Sequence, residues 1–115
     1  MRIEELIDQA YETAESKGFW DEGKGLRNKG EMIALMHSEL SEALEEIRSY
    51  SYDDHEIYFT GTGDNKEPQG VAVELADVMI RIADFCGGFD IPLCEALELK
   101  LEYNKTRAFR HGKSF

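Results

Sequence analysis

Apolar residues recur at helical spacing in four stretches of this chain. Residues 2–17 put Ile3, Leu6, Ile7, Ala10 and Ala14 on one face, and Gly18 is the expected stop. From about 30 to 50, Ile33, Met36, Leu40, Ala43, Leu44 and Ile47 form an apolar stripe, predicted to face the core. From about 70 to 86, Val71, Leu75, Val78, Met79, Ile82 and Cys86 share a face, while Val73, Ala76 and Ile80 occupy the other side. A helix apolar on two faces is expected at the centre of a bundle. Gly87-Gly88 should end it. Asp90 and Pro92 then read as N-cap and first-turn proline of a fourth helix, about 91–109. Residues 51–70 are irregular, with Ile57–Thr60 as a candidate short strand and turn chemistry after it. The pattern predicts an all-α, four-main-helix bundle built as one domain over 1–115.

The polar positions on the two middle helices change this picture. Glu39 and Glu42 sit three apart beside the second stripe, and Glu74 and Asp77 sit three apart on the two-faced helix. Such pairs have Cβ atoms about 5–6 Å apart. Acids on core-forming helices carry a desolvation penalty that a bound cation would offset. Glu46, one turn beyond Glu42, is either an extra ligand, a group that positions water, or part of a solvated face. Asp84 and Asp77 lie on one face with Arg81 between them, which suggests an Asp77–Arg81–Asp84 ion network and a supporting role for Arg81 and Asp84. Asp53 and Asp54 read as a solvated cluster rather than ligands.

The net charge of −11 argues against a nucleic-acid partner and against an anionic membrane surface. The charge is uneven, however. From residue 100 onward there are five Lys or Arg against one acid. Lys100, Asn104 and Arg107 continue the row begun by Leu93 and Leu97, either as a pocket wall or as a helix end emerging into solvent with bases near its C-terminus. No apolar run is long enough to span a membrane, and residues 1–15 lack the apolar core of a signal peptide. Cys86 and Cys94 are read as reduced core residues, so a cytoplasmic location is expected. No zinc spacing or Ser-His-Asp arrangement occurs. All-oxygen ligands select Mg²⁺ or Mn²⁺, and clustered carboxylates facing a Lys/Asn/Arg row suit a phosphate ester or anhydride.

In this order, Ser38-Glu39-Leu40-Ser41-Glu42, Glu74-Leu75-Ala76-Asp77, Lys100, Tyr103-Asn104-Lys105-x-Arg107 and His111-Gly112-Lys113 resemble the MazG-like nucleotide pyrophosphohydrolases of the all-α NTP pyrophosphatase superfamily. The resemblance covers about Lys17 to Phe115. It implies a homo-oligomer, a dimer or dimer of dimers. It also implies Mg²⁺-dependent cleavage of an NTP or dNTP between the α- and β-phosphates, giving monophosphate and pyrophosphate. On that match Glu39, Glu42, Glu74 and Asp77 are metal ligands, and Lys100, Asn104 and Arg107 are phosphate contacts. Many members carry a Glu where this chain has Ser38, and the 51–70 segment is longer than the shortest members need. Trp20 and Tyr103 are candidates to meet the base, with packing as the alternative for each. The competing reading is a non-catalytic helical module whose acidic surface docks a basic partner.

Overall fold

The computed structural model describes residues 1–49 and 56–114. Asp53 and Asp54 therefore lie outside the described residues. The fold is all-α with a small β-hairpin. In chain order it comprises α1 (Ile3–Ser16), α2 (Lys29–Ser49), β1 (Tyr58–Thr60), β2 (Glu67–Gln69), α3 (Val71–Phe89), α4 (Leu93–Lys105) and a short 3₁₀ turn at Phe109–Gly112. The expected strand at 57–60 is present as β1. Its antiparallel partner β2, in the register Tyr58↔Gln69, Phe59↔Pro68 and Thr60↔Glu67, had no signal beyond Pro68 and its turn residues. No helix among the described residues is long and apolar enough to cross a membrane.

Local chemistry sets the helix ends. Gly18 has φ +89°, and the Phe19 amide bonds back to the Ala14 carbonyl at 3.0 Å, which closes α1. Asn28 starts α2 by accepting a hydrogen bond from the Glu31 amide at 2.9 Å. The third helix departs from expectation, because it runs straight through Gly87-Gly88. Those glycines permit close approach rather than termination. A Cβ on Gly87 would lie 2.8 Å from Tyr11 Cβ, and one on Gly88 would sit inside the Trp20 indole. The stop comes at Asp90, a left-handed residue at φ 53°, where the Ile91 amide returns to the Cys86 carbonyl. Asp90 is thus a C-cap of α3, and its carboxylate pairs with Lys24 at 2.8 Å. It does not cap α4, which begins after Pro92 without a side-chain cap.

Both α1 and α2 pack on α3, whereas α4 packs closely on none of them. The radius of gyration is 16.9 Å, against about 13 Å for a compact chain of this size. The face that α2 turns to α3 carries Met32, Glu39 and Ala43, all buried. Ile33, Leu40, Leu44 and Ile47 stay exposed, Leu44 by 53 %. Of the predicted core stripe, Ala43 is buried and Met36 half-buried, while these four lie on the flank of α2, and Glu39 takes the centre. Glu39 meets Arg81 and Glu42 meets Glu74, so α2 and α3 run antiparallel. At about 100° per residue, the exposed α2 row and exposed Leu75 and Met79 of α3 then fall on one side of the pair, away from α1.

Candidate metal centre

Antiparallel packing of α2 on α3 draws the two acidic pairs together. Glu39, Glu74 and Asp77 each place a carboxylate oxygen within 4.8 Å of the others. Glu42 joins them through a hydrogen bond to Glu74. Two carboxyl groups share such a bond only if one holds a proton. Burial, that bond, and the charges of Glu42, Asp77 and Glu39 push Glu74 up to about 7. Asp77 is raised as well, by burial first and then by Glu39 and Glu42, against a lowering pull from Arg81. Glu74 is 8 % exposed, and its Oε2 is buried without a hydrogen-bond partner. Hard oxygen donors, mutual repulsion and one orphaned carboxylate oxygen fit a divalent cation.

The cations nearby are partly committed. Arg81 Nε donates to Glu39 Oε1 at 2.7 Å. The expected Asp77–Arg81–Asp84 bonded network is not formed: Arg81 reaches across to α2 and acts on the two aspartates only through its charge. Asp84 instead accepts from Trp20 Nε1 at 2.8 Å and from Arg27 Nη1 at 3.3 Å. Burial raises its carboxyl, offset in part by Trp20, Arg27 and Arg81. Trp20 is 4 % exposed and packs against Tyr11 and Phe89, which is the packing alternative expected for it. The Arg27 guanidinium lies 5.0 Å over the Trp20 ring.

A groove of about 530 Å³ opens beside the carboxylates. Its apolar part includes Leu6, Ala10 and Ala14 of α1, Phe19, and Ile80 of α3; Lys17, Arg27 and Arg81 add positive charge, and Glu39, Asp77 and Asp84 negative. Lys100, Asn104 and Arg107 do not line it. Lys100 and Asn104 lie on α4, whereas Arg107 lies two residues beyond its end, because the helix stops at Lys105 rather than at the expected 109. Lys100 and Arg107 approach the ring of exposed Tyr103 at 4.9 and 5.5 Å. Asn104 Oδ1 is buried without a partner. Tyr103 does not line the groove either. Glu46 lies on the inward face of α2 and accepts from Tyr58 of the hairpin. Arg27 went unnoticed in the sequence because nothing marks one arginine in a glycine-rich loop. Its place depends on Asp84 and Trp20, both distant in the chain. No known family, curated protein or solved structure matches the chain.

The raised Glu74 carboxyl has a consequence for stability. Its folded value of about 7 lies above the ordinary 4.5, so the folded state holds a proton that the unfolded state releases. The stabilisation is complete below pH 4.5 and is lost as pH rises through 7. At about 1.4 kcal/mol per pH unit, this sums to roughly 3 kcal/mol. Urea unfolding of metal-free protein at pH 5, 6, 7 and 8 is expected to show that decline, and saturating Mg²⁺ to remove most of it. A flat profile without metal would mean that Glu74 ionises normally.

Proposed function

We propose that this protein is a Mg²⁺-dependent nucleoside triphosphate pyrophosphohydrolase of MazG-like type, cleaving between the α- and β-phosphates of an NTP or dNTP. The observation that carries the reading is the convergence of Glu39, Glu74 and Asp77 within 4.8 Å, with a buried unpaired oxygen, at the edge of a groove. In this reading Glu39, Glu42, Glu74 and Asp77 hold the cation. When bound, it supplies positive charge to the phosphates and lowers the pKa of a water molecule. Arg81, held by Glu39, and Arg27, held by Asp84, offer N–H groups to the phosphates from within the groove. The apolar stretch along α1 takes the nucleoside and keeps water from it. Mn²⁺ suits the same oxygen donors.

The test is product analysis across all canonical NTPs and dNTPs with Mg²⁺, detecting pyrophosphate separately from phosphate. Pyrophosphate release that disappears with chelator is expected. Phosphate as the only product would place cleavage at another bond and refute the α–β reading, whereas no product and no ligand-dependent rise in melting temperature with Mg²⁺ and nucleotide would favour the acidic docking module instead.

The same reading includes a homo-oligomer. Ile33, Leu40, Leu44, Ile47, Leu75 and Met79 make an exposed apolar face, and a second copy covers it with an equal face. A partner is also the route by which Lys100 and Asn104 of α4, and Arg107 just past its end, reach a groove. Sedimentation is expected to give a mass above the 13.1 kDa of one chain. Leu44→Asp is expected to weaken association by about a hundredfold or more, since it replaces a buried apolar contact by a charge. A wild-type monomer at micromolar concentration would refute the oligomer.

A further inference from the structure

We propose that Tyr58 is a positioning residue: it holds Glu46 as an additional wall of the cation site, so the β-hairpin sets metal affinity. This rests on the metal reading above. The Tyr58 hydroxyl lies 3.0 Å from both Oε1 and Oε2 of Glu46, in a partly buried contact. Glu46 stands one turn beyond Glu42 on α2. Glu42, Glu46, Glu74 and Tyr58 line one cavity of about 370 Å³. Glu74 thus belongs both to the carboxylate cluster and to the cavity that Glu46 closes.

The hairpin is tied to the cluster in two further ways. Glu67 of β2 is near enough for its charge to raise the Asp77 carboxyl. β2 also leads through Gly70 into the first turn of α3, which carries Glu74. Gly70 has φ +119°, and a Cβ there would meet the Glu56 carbonyl oxygen at 2.6 Å, so the hairpin is seated tightly at the start of that helix.

The phenol brings a single proton, whereas a carboxylate has about four acceptor sites. Tyr58 therefore fixes Glu46 and leaves acceptor capacity open to the cavity. Freezing a glutamate costs conformational entropy, and here it is frozen before any cation arrives. Mg²⁺ keeps several of its waters when proteins bind it, so a fixed carboxylate in a roomy cavity adds attraction without touching the ion.

The test is Mn²⁺ binding to the full chain, with free Mn²⁺ counted by electron paramagnetic resonance. The proteins are wild type, Tyr58→Phe, Glu46→Gln and the double variant. Each single change is expected to weaken Mn²⁺ affinity about tenfold or more, in the manner of lost supporting hydrogen bonds. The double variant should match Glu46→Gln alone, because Tyr58 acts through Glu46. If Tyr58→Phe lowers only the melting temperature and leaves affinity unchanged, the bond merely anchors the hairpin and the inference fails. Additive losses in the double variant would also overturn it. Wild-type protein that binds no Mn²⁺ would instead remove the metal reading itself.

Discussion

Glu74→Gln and Asp77→Asn should each lose at least about a hundredfold of Mg²⁺-dependent pyrophosphate release and still fold. The loss follows from the chemistry proposed for the cluster, where turnover depends on charge that the cation brings and these carboxylates hold it. The folding half follows from the metal-free geometry. Glu74 is buried, repelled by three neighbours and protonated up to about pH 7. A glutamine there is uncharged at every pH and can donate its amide hydrogen to Glu42, as the protonated acid does. At pH 8 without metal, Glu74→Gln should therefore melt at or above the wild-type temperature. Asp77→Asn relieves a smaller repulsion in the same direction. Glu39→Gln differs, because it weakens the 2.7 Å bond that occupies Arg81 and forfeits part of the gain. Near-wild-type release by Asp77→Asn at saturating Mg²⁺ would sink the four-carboxylate site.

The second large effect is on stability. Gly88→Ala is expected to destabilise the protein by about 3 kcal/mol or more, a large share of the roughly 5–15 kcal/mol available to a domain. The new methyl group would occupy the space of the Trp20 indole. That ring cannot move aside freely: Tyr11 and Phe89 pack on it, and its Nε1 satisfies Asp84. Displacing it would leave a buried carboxylate short of a donor. The gain from replacing a helical glycine by alanine, about 1 kcal/mol, is too small to compensate. Trp20 is the only tryptophan, so its fluorescence reports the site directly during urea unfolding. Gly30→Ala on α2, where the nearest atom is 3.4 Å away, serves as the control and should be neutral or slightly stabilising. Equal stability of Gly88→Ala and wild type would show that the helix does not need this glycine for the ring.

The contrast between those glycines shows where sequence reasoning reached its limit. Gly18 was legible as a stop because helix termination is local: a left-handed residue after a periodic run closes the last turn. Gly87-Gly88 carry the same local signal, yet the helix continues, because an indole from a residue nearly seventy positions earlier fills the space a side chain would need. The stripe on α2 has the same lesson. Its period is that of a helix, but period alone does not say which flank meets the rest of the same chain. The face with the carboxylates packs on α3, and the more apolar face is left exposed.

Apolar spacing by itself determined the four helices, the central place of α3 and the i, i+3 pairing of Glu39 with Glu42 and of Glu74 with Asp77, since all of these follow from a repeat of 3.6 residues along one segment. Convergence of the two pairs, the raised Glu74 carboxyl, the diversion of Arg81 to Glu39 and the union of Trp20, Asp84 and Arg27 were decided only by the tertiary structure. Each depends on which helix faces another and at what depth, and burial and charge proximity are properties of that packing rather than of any one segment.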